Sequence, residues 1–153
     1  MAILLKSSSF EQGQPIPLRH TGDGVNVSPP LAWSGLRKDA KSQVLICEDP
    51  DAPRGVWVHW VLYDLPPTTH MLPEGLPSDP VLPGGGVQGK TDFGTLGYGG
   101  PAPPKGKPHR YYFKLYSLDC ELGLPAGATK ADVLTAMDGH VLDKGELMGV
   151  YGR

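Results

Sequence analysis

Apolar residues along this chain fall into short runs that turn-forming residues separate. In the run 56–63 every even position is apolar, and every odd position except one histidine is aromatic or β-branched: Val56, Trp57, Val58, His59, Trp60, Val61, Leu62 and Tyr63. Because successive side chains of a strand point to opposite faces, this pattern predicts a strand that is covered on both faces. The even positions should then share one face, and His59 should face an aromatic-lined environment.

Four further runs have the composition of strands. They lie at 2–6, 42–48, 110–118 and 146–151. The run 110–118 alternates most regularly between a mainly apolar face and a more polar face. The first face would carry His109, Tyr111, Phe113 and Leu115, and the second Arg110, Tyr112, Lys114 and Tyr116.

One helix is predicted near the C-terminus. Thr129 with Asp132 three residues later resembles a capping box, and Gly139 can supply the left-handed residue that ends a helix. Leu134 and Met137 would lie on one face of this helix, together with the side chains of Ala131 and Lys130.

Strands do not alternate with helices of ten or more residues, so a parallel doubly wound sheet is not expected. The sequence predicts a mainly β fold, an antiparallel β-sandwich with a few short helices, in a single domain over residues 1–153. The 21 Gly and 17 Pro make up about a quarter of the chain and act as punctuation between strands.

Charge and composition exclude several classes of protein. The formal net charge is −2 and no basic stripe is present, so nucleic acid is not an expected partner. No apolar run approaches the roughly 20 residues that span a bilayer, and the first residues lack signal-peptide features, which favours a cytoplasmic protein. Cys47 and Cys120 form no CxxC pair and are expected to be reduced and buried.

One motif is misleading. Gly84, four further residues and Gly89-Lys90-Thr91 match the pattern of a phosphate-binding P-loop. That loop requires a buried strand before it and a helix directly behind it. The prolines before it and the glycine-rich segment 92–101 behind it do not fit that context, so nucleotide hydrolysis is not expected.

Two segments carry candidate chemistry. The acidic stretch 49–53 is by itself typical of a plain turn, because Asp and Pro both favour turns. His59 follows it, however, and the long Gly/Pro loop 97–108 runs directly into His109. A loop of this length needs a functional reason, and exposed amides around Gly99 and Gly100 would suit an anion.

These segments resemble a known family. Residues 49–53 (DPDAP) followed by 57–60 (WVHW) are similar to the first signature of the phosphatidylethanolamine-binding protein family. Residues 97–106 (GYGGPAPPKG), running into 109–111 (HRY), resemble its second signature, and 26–33 (NVSPPLAW) is similar to its N-terminal segment. The form of the second signature is nearest to the bacterial and archaeal branch, which is described as Raf-kinase-inhibitor-like.

The resemblance implies a Greek-key β-sandwich with a small pocket for phosphate-like and carboxylate anions. Carried onto this chain, the ligand-binding residues are Asp49, Asp51, Pro53, Trp57, His59, Gly100, Ala102, Pro103, His109 and Tyr111. Two features depart from the family pattern. Ala102 stands where bacterial relatives often carry Cys, and Lys107-Pro108 alters the spacing before His109.

The chemistry of these residues suits an anion, for which imidazole N–H groups, a tyrosine hydroxyl and loop amides are donors. Asp49 and Asp51 would either orient the histidines or meet the ammonium of a zwitterionic headgroup such as phosphorylethanolamine. The expected function is therefore non-catalytic binding of phosphate or a phospholipid headgroup, with a regulatory role, no cofactor and no metal.

Three alternatives stay open at this point. The histidines could be purely structural, since aromatic-lined histidines often are. The same pocket could take part of a protein partner, as in an inhibitor of a kinase or protease. An acid–base hydrolase is the less favoured alternative, because no nucleophile elbow or metal-ligand spacing is present. A homodimer is expected from the resemblance to bacterial members.

Overall fold

The computed structural model describes residues 3–153, and its strands form two antiparallel sheets. The smaller sheet has the order β1-β2-β5 and the larger has the order β6-β4-β3-β7-β8. The strands are β1 (Leu4–Lys6), β2 (Leu31–Ser34), β3 (Ser42–Asp49), β4 (Trp57–Leu65), β5 (Met71–Leu72), β6 (Val87–Gln88), β7 (His109–Leu118) and β8 (Val141–Tyr151). The predicted mainly β sandwich is confirmed. Within the predicted run 2–6, Ala2 lies outside the described residues.

The larger sheet is covered on both faces, which explains why all eight residues of β3 are buried. Leu45 and Cys47 point into a core shared with the smaller sheet. Val44 and Ile46 point to the opposite face, into a second cluster that is covered by the helix α1 (Lys130–Met137). Close packing in these two clusters, one on each face of the sheet, keeps the central strands in fixed positions.

A β-bulge in β4 changes the predicted alternation. Cys47 pairs with Trp60, but the next residue, Glu48, pairs with Val58, so His59 is an extra residue in the ladder. Val58 consequently packs on the helix-covered face, whereas Trp60 packs between the sheets. The prediction that all even positions share one face is wrong at this point, because a bulge shifts the side chains beyond it.

The helix α1 has the predicted capping box. The Thr129 hydroxyl accepts the amide of Asp132 at 3.2 Å, and the Asp132 carboxylate accepts the amide of Thr129 at 3.1 Å. Val133 and Met137 are the buried residues of the helix, while Leu134 is 40% exposed. The predicted helix is confirmed, and of the two residues that the sequence groups on one face, Met137 packs against the sheet whereas Leu134 is exposed.

The remaining sequence predictions have simple outcomes. Behind Lys90 the chain forms turns instead of a helix, so the P-loop pattern lacks its required context. Both cysteines are free, Cys47 is buried and Cys120 is only partly buried. Among residues 3–153, no helix has the length and apolar character needed to cross a membrane.

Candidate functional site

The acidic turn is organised by Asp49, the last residue of β3. Its Oδ1 accepts the amide of Asp51 at 2.7 Å, which closes an Asx-type turn. Its Oδ2 accepts Nδ1–H of His109, the first residue of β7, at 2.7 Å. Because β3 and β7 are neighbours in the sheet, the fold brings these two residues together across 60 positions of sequence. Both side chains are almost fully buried.

The bulge residue His59 is held by the loop of the second signature. Its Nδ1 donates to the Gly99 carbonyl at 2.5 Å, and the Gly99 amide donates to the His59 carbonyl at 2.9 Å. The ring also makes edge-on contacts with Phe93 and Tyr111, with centroid separations of 5.3 and 5.2 Å. The expected aromatic surroundings of His59 are confirmed.

Burial controls the titration of the two aromatic groups at the centre of the site. It lowers the pKa of His59, and hydrogen bonding to Gly99 together with the charge of Asp49 only partly opposes this effect. Burial also raises the pKa of the Tyr111 hydroxyl, and the negative charge of Asp49 raises it further. Near neutral pH, His59 is therefore mainly an uncharged imidazole and Tyr111 an intact phenol.

These residues enclose a cavity of about 180 Å³. Eight of the ten predicted ligand-binding residues line it, and three residues that were not predicted join them. The predicted residues in the lining are Asp49, Pro53, Trp57, His59, Ala102, Pro103, His109 and Tyr111. The additional residues are Ala52, Phe93 and Pro104.

The structure places the other two predicted residues outside the lining. Asp51 forms a two-pronged ion pair with Arg110, at 2.9 and 2.8 Å, and Arg110 lowers the pKa of Asp51 to about 2. Gly100 is buried, and its amide donates to Oδ1 of Asn26 at 2.8 Å. Both residues support the loops that form the site.

Sequence reasoning missed Phe93 for a clear reason. Phe93 belongs to neither signature, and its place depends on how the loop after β6 folds back onto β4. That return is fixed by Asp92, whose Oδ2 accepts the amide of Val58 at 2.7 Å and whose own amide donates to the Val58 carbonyl at 3.0 Å. Ala52 and Pro104, by contrast, lie inside the two signatures and could have been included.

Comparisons with known proteins agree with this architecture. A family model described as phosphatidylethanolamine-binding protein matches residues 6–152. A UPF0098 protein of Methanothermobacter thermautotrophicus is 54% identical over 149 residues, covering 97% of this chain and 98% of the relative. The UPF0098 protein YbhB of Escherichia coli is 41% identical, covering 96% of this chain and 98% of the relative.

Two crystal structures are also similar. One is a putative phosphatidylethanolamine-binding protein homologue of Chlamydia trachomatis, with a TM-score of 0.91 and 43% identity over 99% of this chain and 98% of the other. The second is YbcL of E. coli, described as a member of the mammalian PEBP family, with a TM-score of 0.92 and 34% identity over 100% and 99% of the two chains. The chain therefore belongs to the phosphatidylethanolamine-binding protein family.

Proposed function

We propose that the cavity binds a small phosphate-type anion, of the kind found in a phospholipid headgroup, and catalyses no reaction. The observation that carries this proposal is the shared orientation of two histidines. His59 commits its Nδ1 to the Gly99 carbonyl, and His109 commits its Nδ1 to the Asp49 carboxylate. Both rings line the cavity, so Nε2 is the nitrogen that each can offer to a ligand.

The size of the cavity favours a headgroup over a whole lipid. Its volume of about 180 Å³ is below the roughly 300–1,000 Å³ of pockets that enclose drug-sized ligands. Acyl chains would have to remain outside it. The ligand class that this supports is a phosphomonoester or a similarly small oxyanion.

The two imidazoles offer complementary chemistry to a phosphomonoester. Neutral His59 can accept the remaining O–H of a monoanionic phosphate at Nε2. A protonated His109 can donate to a phosphate oxygen, and its charge would balance the buried Asp49 carboxylate. Binding of a fully ionised phosphate would instead require His59 to take up a proton.

The contacts of Asp49 favour a positioning role. Oδ1 already accepts the Asp51 amide, and Oδ2 already accepts His109. An ammonium group would have to compete with both of these bonds. We infer that Asp49 fixes the tautomer and orientation of His109, and that it does not serve as the main contact for an amine.

The test is a two-dimensional NMR titration of the histidine rings with phosphate and then with phosphorylethanolamine. We expect saturable shifts at His59 and His109 in the unaltered protein. Asp49→Asn should weaken both ligands equally, by roughly 10–100-fold, which corresponds to the loss of one hydrogen bond to a charged group. Asp39→Asn is the matched control, because Asp39 pairs with Arg37 on the exposed surface.

Two results would count against this proposal. No shift of either ring up to high ligand concentration would mean that the cavity does not bind anions. A larger loss for phosphorylethanolamine than for phosphate in Asp49→Asn would restore the ammonium role of Asp49.

The make-up of the cavity wall supports a non-catalytic function. Within the described residues, no Ser, Thr, Cys or Lys side chain lines the cavity, so covalent catalysis by these usual nucleophiles has no candidate there. The groups in the lining that could support acid–base chemistry are Asp49, His59, His109 and Tyr111. Turnover of a phosphoester that His109→Ala abolishes would overturn the non-catalytic assignment.

A protein ligand is the second candidate, and it would give the site a regulatory role. The observation that favours it is the exposed aromatic pair at the rim. Trp57 is 38% exposed and Phe93 is 44% exposed, and their rings meet edge to face at 5.5 Å. Exposed aromatic residues are frequent anchors of protein interfaces. If the ligand is a kinase or protease, Trp57→Ala should abolish its capture while phosphate still shifts the histidines.

The predicted cytoplasmic location and homodimer stay predictions.

A further inference from the structure

A second cluster of reactive side chains lies at the opposite end of the larger sheet. Asp119, Cys120 and His140 each bring one potential metal-ligand atom within 4.8 Å of the other two. Asp119 and Cys120 directly follow β7, whose first residue is His109 of the cavity. Ten residues at roughly 3.3 Å each separate the two places by about 30 Å, so the cluster is independent of the proposed anion site.

The backbone around the cluster is held by hydrogen bonds. The Asp119 amide donates to the His140 carbonyl at 3.0 Å, and the Cys120 carbonyl accepts the Ser42 hydroxyl at 2.6 Å. Gly139 has a φ of 80°, a conformation that suits the residue after a helix. It turns the chain so that His140 lies beside Asp119. The side chains of Asp119, Cys120 and His140 can therefore change conformation while the backbone around them stays in place.

We propose that Asp119, Cys120 and His140 bind one zinc-type divalent cation, with a water molecule as the fourth ligand. A carboxylate, a thiolate and an imidazole are all established zinc ligands, and three protein ligands with one water form an open tetrahedral site. The sequence predicted no metal site because His140 comes 21 positions after Asp119 and no ligand motif spans that distance.

The geometry requires only small movements. Zinc bonds of roughly 2.0–2.3 Å place tetrahedral ligand atoms about 3.3–3.6 Å apart. Asp119 Oδ1 and His140 Nδ1 are now 2.7 Å apart, joined by a hydrogen bond. They would separate by less than 1 Å as the metal replaces the shared proton. The proton of the neutral imidazole moves from Nδ1 to Nε2 by exchange with solvent, which leaves Nδ1 free to bind the metal, and the Cys120 thiol releases its proton to solvent.

The surrounding charge also favours a cation. The carboxylates of Asp119 and Asp64 both place negative charge near the Cys120 thiol. The same negative potential attracts a divalent ion, whose charge then stabilises the thiolate. Asp64 acts only at a distance here, because its carboxylate already accepts the amides of Leu122 and Gly123.

Cobalt is the probe of choice, because thiolate ligation to Co²⁺ gives a charge-transfer band in the near ultraviolet. The full chain, reduced and freed of metal, is titrated with Co²⁺ and then with Zn²⁺. We expect one Co²⁺ per chain, a thiolate band, and its loss when Zn²⁺ displaces the cobalt. Zn²⁺ should also raise the melting temperature, because it binds the folded state.

Variants identify the ligands. Cys120→Ser should remove the thiolate band, and His140→Ala should weaken binding by at least the roughly 10–100-fold that even outer-shell changes cause. His140 is exposed, so its replacement should leave the fold intact. His70→Ala, which alters another exposed histidine, is the matched control and should bind Co²⁺ as the unaltered protein does.

Three results would overturn the proposal. The first is the absence of a saturable cobalt spectrum. The second is a thiolate band that persists in Cys120→Ser, which would point to Cys47. The third is equal binding by His140→Ala and His70→Ala. None of these results bears on the histidine titration with phosphate, so the two proposals fail separately.

Discussion

Two adjacent glycines, Gly99 and Gly100, support the site in different ways. A β-carbon on Gly99 would lie 2.6 Å from Cδ2 of Phe93, which is a half-exposed ring able to move. A β-carbon on Gly100 would overlap the His20 carbonyl and the Asn26 amide oxygen. The first clash can be relieved by a side chain, whereas the second involves backbone and a hydrogen-bonded partner.

We therefore predict different results for the two alanine variants. Gly100→Ala should lower the free energy of unfolding by about 1–3 kcal/mol, the usual cost of overpacking. Gly99→Ala should cost less stability but weaken phosphate binding, because it displaces Phe93, which lines the cavity. Urea unfolding and the histidine titration measure the two effects. Gly84→Ala is the control, since its β-carbon would meet no atom within 4 Å. Equal losses of stability at 99 and 100 would contradict this account.

For individual residues, the resemblance predicted the lining of the cavity better than the local pattern did. Asp49 and His109 are 60 positions apart, and nothing in either segment alone indicates that they touch. The two family signatures nevertheless predicted both residues. The pairing of Asp51 with Arg110 was not predicted, because it depends on how the ends of β3 and β7 lie beside each other. That arrangement is a property of the sheet and not of either signature.

At the scale of elements, the helix α1 stabilises the outer face of the larger sheet. Met137 is 3% exposed within the second core cluster, whereas Leu134 on the same helix is 40% exposed. We predict that Met137→Ala lowers the free energy of unfolding by about 2–5 kcal/mol, through lost burial and a residual cavity. Leu134→Ala should stay within about 0.5 kcal/mol of the unaltered protein. Thermal or urea unfolding distinguishes these values. A larger loss of stability for Leu134→Ala than for Met137→Ala would mean that the face carrying Leu134 packs against the sheet.

The spacing of residues along the helix does not by itself indicate which face is buried. Met137 is three residues after Leu134 and four after Val133, and both spacings put two side chains on one face of a helix. The sequence alone therefore allows either partner. The side that meets Tyr63 and Val61 of β4 is the side of Val133, which is fully buried. Packing against β4 therefore determines that Val133, and not Leu134, is buried beside Met137.

The bulge at His59 could not be predicted from the pattern of residues. A strand was predicted correctly at 56–63, because its residues are apolar and aromatic. The extra residue has no composition signal, since bulges depend on how two strands pair. Its consequence is functional in our proposal. It frees the His59 side chain from the regular core alternation and lets it reach Gly99 and the cavity.

At the scale of the whole molecule, the sandwich brings four separated segments to one end of the larger sheet. The turn after β3, the bulge in β4, the loop after β6 and the chain leading into β7 each supply part of the cavity. None of them could form the site alone, because each histidine needs a partner from another segment. The stability of the fold and the ability of the cavity to bind an anion should therefore both change when the histidines are protonated.

His59 and His20 link stability to pH. Burial lowers the pKa of both below the ordinary value of 6.5. The unfolded chain therefore binds more protons than the folded chain once the pH falls below that value. Their contribution to stability is complete above pH 6.5 and is lost as the pH falls toward the lowered folded-state pKa. We predict a melting temperature that declines between about pH 7 and pH 5.

An anion in the cavity should oppose this decline by stabilising protonated His59. Sulfate is a suitable probe because its charge does not change over this range. The rise in melting temperature that sulfate gives over chloride should be larger near about pH 5.5 than near about pH 7.5.

Sulfate also stabilises proteins by exclusion from their surfaces, and His59→Gln reports that general effect alone. If the extra stabilisation at low pH is the same in His59→Gln, sulfate acts on the surface and the coupling between the cavity and His59 is refuted. If it disappears in His59→Gln and persists in His20→Gln, proton uptake at the bulge residue accompanies anion binding.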